Sequence, residues 1–133
     1  MAIDYGLKRT GLAVTDPLQL IANPLTTVLT AELLDFLKDY IKKEEVSLFV
    51  IGMPKRLDST PSQTAMNVKG FIKVLQRDIP AIPVEEIDER FTSVMAMDAM
   101  IAGGMKKKDR RDKANVDKVS AAIILQSYME SRK

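Results

Sequence analysis

Short apolar runs broken by glycine and proline dominate the first third of the chain, and helical spacing takes over afterwards. Met1 to Asp4 reads as the end of a short strand and Gly6 to Arg9 as a turn. Leu12-Ala13-Val14 continues as a second strand. A third lies near Thr26-Thr27-Val28, with Pro17 and Pro24 punctuating the connection, which predicts an antiparallel meander. Leu33, Leu34, Leu37, Tyr40 and Ile41 recur at i, i+3, i+4 spacing and predict a helix from an N-cap at Thr30 to about Glu45. Ser47 to Ile51 is a mostly apolar run stopped by Gly52 and Pro54, the pattern of a central strand covered on both faces.

Thr60, Pro61 and Gln63 form a capping box with proline at the first helical position, and Ala65, Val68, Ile72 and Leu75 give the buried stripe of the helix that follows. Pro83 to Ile87 reads as a fifth strand at a sheet edge, where proline's missing N–H does least harm. A short helix from Thr92 should end at Gly103-Gly104. A last helix, capped by Asn115, should run from Val116 to about Ser131 with Val119, Ile123, Ile124, Tyr128 and Met129 inward. The order β-β-β-α-β-α-β-α-α predicts an α/β fold, a mixed sheet with helices on both faces, in one domain over residues 1–133.

Composition narrows the chemistry. The chain has no cysteine and no histidine, which excludes disulfides, thiolate or imidazole metal sites and the Ser-His-Asp triad. Catalysis must run on carboxylates, lysines or hydroxyls. No apolar run is long enough to cross a bilayer and the first residues lack a signal-peptide pattern, so the expected location is cytoplasmic, with no membrane partner. The net charge of +2 conceals an asymmetry. Between Gly103 and Lys118 seven basic residues face three acidic ones, a local +4, and the remainder is −2. Such a segment suits a phosphate backbone, although a solvated loop would serve equally for solubility.

Three acidic positions lie at the ends of predicted elements: Asp4, the Asp88-Glu89 pair of "EEIDERFTS", and Asp117 in the first turn of the last helix. Each has an ordinary explanation: Asp4 as a turn cap, Glu89 as an ion-pair partner of Arg90, Asp117 as an acid on the helix dipole. Together they suggest more, because carboxylates converging over a sheet repel one another unless a cation lies between them. An oxygen-only cluster selects Mg²⁺ or Mn²⁺, the usual ions of phosphodiester cleavage. Lys8 and Arg9 flank Asp4, and Arg56 sits in a Gly/Pro loop before a helix start, where a substrate phosphate could bind.

The segments "IDYGLKRTGLAVTDP", "VIGMPKRLD", "IDERFTS" and "VDKVSAAIILQSYM" resemble, in order and spacing, the motifs of the YqgF/RuvX family of RNase H-like proteins. That family is described as pre-16S rRNA nucleases and as Holliday junction resolvases. The resemblance implies a five-stranded sheet of order 3-2-1-4-5, metal-dependent cleavage of structured nucleic acid and a role in 5′-end maturation of small-subunit rRNA. It carries the family's acids onto Asp4, Glu89 and Asp117 as catalytic metal ligands, with Asp88 and Arg90 supporting. Many RNase H-like enzymes also have an acid after the strand that here reads "IGMP", where only Asp58 follows. Lys8, Arg9, Arg56, Lys106, Lys107, Arg110 and Arg111 are the expected phosphate contacts. The partner is precursor rRNA or branched DNA, and monomer and homodimer both remain open. Alternative readings are junction cleavage, or an assembly factor that binds without cutting.

Overall fold

The computed structural model describes residues 1–16, 21–54, 63–89 and 113–131. Five strands form one sheet: β1 (Ala2–Asp4), β2 (Arg9–Thr15), β3 (Ala22–Leu29), β4 (Phe49–Pro54) and β5 (Val84–Glu89). Their order is β3-β2-β1-β4-β5. β1, β2 and β3 pair antiparallel, and β4 pairs parallel with both β1 and β5. This is the mixed sheet expected of an RNase H-like domain. The described helices are α1 (Leu33–Lys43), α2 (Gln63–Asp78) and α3 (Lys113–Ser131).

Strand alternation sorts the core into two layers. Ile3, Leu12, Phe49 and Ile51 face Leu33 and Leu37 of α1 and Val68, Ile72 and Leu75 of α2. Ala2, Ala13 and Val50 face Ala121, Ile124 and Leu125 of α3. The inward stripe of α2 is the expected one, Ala65, Val68, Ile72 and Leu75. That of α3 includes Leu125, with Tyr128 and Met129 partly buried beside it.

Several boundaries differ from the sequence pattern, each for a local reason. Pro24 lies inside β3, where the register shifts between Leu12 and Ala13 and Leu25 becomes the extra residue of a bulge. β3 is an edge strand, so the missing N–H of Pro24 is tolerated. β4 runs through Gly52 to Pro54 because each of its six residues pairs with one on β5. Thr30 does not cap α1: Thr30–Glu32 is a 3-10 turn without a side-chain cap, and the Thr30 hydroxyl bonds elsewhere. Helix α3 includes Lys113 and Ala114, both favourable helix residues, so Asn115 lies within it and not at its cap. Asp117 is therefore beyond the first turn, where a helix-dipole role fades. The expected capping box at Thr60 and the helix from Thr92 to Gly103 lie outside the described residues. No described helix is long and apolar enough to cross a membrane.

At the start of β1 the Met1 ammonium donates to the Leu48 carbonyl (2.8 Å), and burial pushes its pKa down from 8.0 to about 6. The unfolded chain holds this proton up to about pH 8, whereas the folded chain releases it near 6. The unfolded state thus binds more protons in that window, and stability rises with pH there. Urea unfolding is expected to gain up to about 2 kcal/mol from pH 6 to pH 8. With no histidine or cysteine, no other group ordinarily titrates in that range. A chain extended or acetylated at its N-terminus should lose the effect.

Candidate functional site

Asp4 is the last residue of β1 and is partly exposed. It alternates in phase with Ala2, so it belongs to the face covered by α3. Its cross-strand partner on β2 is Gly11. Gly11 is the contact point of α3: a Cβ built there would overlap the Asp117 carbonyl and lie 2.9 Å from the Lys118 nitrogen. The helix backbone at Asp117 thus rests directly on β2, one strand from Asp4. Neighbouring strands lie only about 4.8 Å apart, so the two acids share one end of the sheet.

Asp117 turns its carboxylate toward the β1–β2 turn. Arg9 Nε donates to Asp117 Oδ2 at 3.2 Å, with side chains 36% and 26% exposed. An ion pair this open contributes little to stability, so its main effect is to fix orientation. Arg9, Gly11 and Ala13 share the α3-facing side of β2. Lys8, at the tip of the turn, is exposed beside Leu7, itself 63% exposed. Asp4, Asp117 and Arg9 thus lie at one end of the sheet, with Lys8 exposed on the adjoining turn.

Ile3 pairs with Ile51, so Asp4 is level with Gly52, and Gly52 pairs with Ile87. Between Asp4 and β5 the intervening residue, Gly52, carries no side chain. Asp88 and Glu89, expected just after β5, are its last two residues, opposite Met53 and Pro54. Position 89 is in strand phase with Ile87, which packs on the α3 side, and position 88 with Val84, which packs on the α1/α2 side. Their side chains lie outside the described residues, as do Arg56, Asp58, Arg90, Lys106, Lys107, Arg110 and Arg111. Among the described residues no three acids are grouped closely enough to hold a metal ion.

Two features had no counterpart in the sequence reading. Gly11 sits in mid-strand, and a glycine there signals close backbone approach. Ser120, one turn after Asp117, is buried, and its hydroxyl has no hydrogen-bond partner among the described residues. A buried, unsatisfied hydroxyl is costly, so Ser120→Ala is expected to raise the urea midpoint, by about 1 kcal/mol of stability. A cavity of about 330 Å³ lined by Met1, Ser47, Leu48 and Tyr128 lies at the opposite end of β1, away from this acid pair.

A family model described as "RuvX: Holliday junction resolvase" matches residues 1–131. The chain belongs to the RuvX family. Within curated RuvX-like relatives, it is 57% identical over 133 residues to a "Putative pre-16S rRNA nuclease" of Phocaeicola vulgatus, covering 100% of this chain and 96% of that one. A protein of the same name from Christiangramia forsetii is 55% identical over 129 residues, 97% of this chain and 96% of its own. One from Bacteroides fragilis is 53% identical over 133 residues, at 100% and 96% coverage. Membership in the RuvX family accords with the sheet order.

Proposed function

We propose that this chain is a divalent-metal-dependent endonuclease that hydrolyses phosphodiester bonds in structured nucleic acid, maturing the 5′ end of pre-16S rRNA during ribosome biogenesis. The observation that carries this reading is that the α3 backbone at Asp117 rests on Gly11, the β2 residue paired with Asp4, so that both acids lie at one end of the sheet, with Arg9 paired to Asp117 from the adjoining turn. Such acids repel one another and gain from a shared cation. The names of the relatives support the rRNA substrate.

The donor set fits a hard ion, because every candidate ligand is a carboxylate and the chain lacks histidine and cysteine. Asp4, Asp117 and Glu89 would hold Mg²⁺ or Mn²⁺. Glu89 is preferred to Asp88 because its strand position is in phase with Ile87, on the sheet face that Asp4 shares. When bound, such an ion activates a water and stabilises the leaving oxygen of a phosphodiester. Arg9, oriented by Asp117, donates to a non-bridging phosphate oxygen, and Lys8 meets a neighbouring phosphate. Arg56, Arg90 and the basic residues Lys106, Lys107, Arg110 and Arg111 extend that contact along the backbone. The expected setting is the cytoplasm.

The description of the family model favours a second substrate, a four-way DNA junction. A single experiment separates the two: the chain is incubated with Mn²⁺ and equimolar precursor 16S rRNA fragment and junction, labelled differently. Preferential cutting of the RNA at its 5′ side supports rRNA maturation, and preferential cutting of the junction supports resolution. Binding of RNA without cutting of either would leave an assembly factor and overturn the nuclease reading.

A further inference from the structure

The turn between β1 and β2 is gripped by one residue from another part of the chain. Thr30 donates its backbone N–H to the Lys8 carbonyl (3.0 Å) and its hydroxyl to the Gly6 carbonyl (2.7 Å). The Thr30 hydroxyl has only one proton, already committed to Gly6. The 2.9 Å contact between the hydroxyls of Thr10 and Thr30 therefore has Thr10 as donor. Thr10 is fully buried. A chain of hydrogen bonds thus runs from the interior of β2 through Thr30 to the turn. Gly6 closes the arrangement, since a Cβ there would overlap the Arg9 carbonyl.

Threonine at a helix start normally caps the helix with its hydroxyl. Here Leu29 and Glu32 occupy the N-cap positions of the 3-10 turn and of α1, neither caps with its side chain, and Thr30, the first residue of the 3-10 turn, directs its hydroxyl to Gly6. The β1–β2 turn carries Lys8 and Arg9, and ordering flexible cations on binding costs conformational entropy that a preformed turn avoids. We propose that Thr30, backed by Thr10, is a positioning residue that fixes the Gly6–Arg9 turn in the geometry by which Lys8 and Arg9 contact the nucleic-acid backbone. The identity of the ligand, a phosphate backbone, rests on the nuclease reading; the grip on the turn does not.

The test is equilibrium binding of a labelled precursor rRNA fragment in EDTA over a range of salt, with melting temperatures of each variant. Thr30→Val keeps the backbone N–H and deletes the hydroxyl. It is expected to bind about tenfold more weakly, the equivalent of one net hydrogen bond to an ordered group. Its log K against log [salt] slope should fall in magnitude by about one phosphate contact. Thr30→Ser should restore both, and Thr10→Val, which leaves the Gly6 bond, should fall between. A merely structural role would lower the melting temperature without moving the slope. A folded Thr30→Val with wild-type affinity and slope overturns the proposal, as does a Thr30→Ser as weak as Thr30→Val. If Thr30→Val does not fold, wild-type affinity in Thr10→Val overturns it instead. A wild type that binds and responds in this way but cuts nothing refutes the nuclease reading and leaves the positioning role standing. A cutting wild type with an indifferent Thr30→Val does the reverse.

Discussion

Replacing Asp4 with asparagine is expected to reduce Mn²⁺-dependent cleavage of a precursor rRNA fragment by on the order of a thousandfold, with the fold intact. The size follows from the role: losing a charged oxygen donor forfeits several kcal/mol of transition-state stabilisation, and about 4 kcal/mol is a thousandfold in rate. Asparagine keeps the volume and one acceptor of the aspartate, so the strand end should persist. Asp117→Asn should lose a similar factor in cleavage. It also weakens the pair with Arg9, but that pair is partly exposed, so stability should change by less than about 1 kcal/mol. Single-turnover rates and melting curves on the same samples separate these effects. Loss of activity together with loss of folding in both variants would make the acids structural.

The second large effect is expected at Gly11, where no charge is involved. A single methyl group there collides with backbone atoms of Asp117 and Lys118, which cannot rotate away as a side chain would. Helix α3 must lift or β2 must bend, and overpacking of this kind costs about 3 kcal/mol or more. The displaced helix carries Asp117 with it, so Gly11→Ala should lose both stability and cleavage. The useful comparison is Gly70, on α2, around which a Cβ meets nothing within 4 Å. Gly70→Ala should be neutral or stabilising, by up to about 1 kcal/mol, because alanine is the better helix residue. Urea unfolding of the two variants tests the contrast. Equal, small effects at both positions would mean that α3 does not depend on its seat at Gly11.

Much of this architecture is legible in residue order, and where it is not, tertiary contacts intervene. Apolar spacing alone identifies the α2 stripe and the Leu33/Leu37 face of α1, since helical period and burial coincide there. Boundaries are less legible because partners set them. β4 continues past Gly52 to Pro54 only because β5 pairs alongside, and Pro24 enters β3 only because that strand lies at the edge. Thr30 has the local signature of a cap, and no local rule reveals that a carbonyl 24 residues earlier takes its hydroxyl. At the site, the predicted ends of their elements suggest that Asp4 and Asp117 lie near one end of the sheet, but the close seat of the α3 backbone on Gly11 appears only when α3 is packed on the sheet. The choice between Asp88 and Glu89 is open in sequence and turns on strand phase, which needs the register of β5 against β4.

The most direct test of the acid end of β1 as a divalent-cation site is calorimetric titration of Mn²⁺ into the wild type and Asp4→Asn, without nucleic acid. Saturable binding by the wild type, lost or greatly weakened in a folded Asp4→Asn, is the predicted result. Equal binding by the two proteins, or none by the wild type, would contradict it.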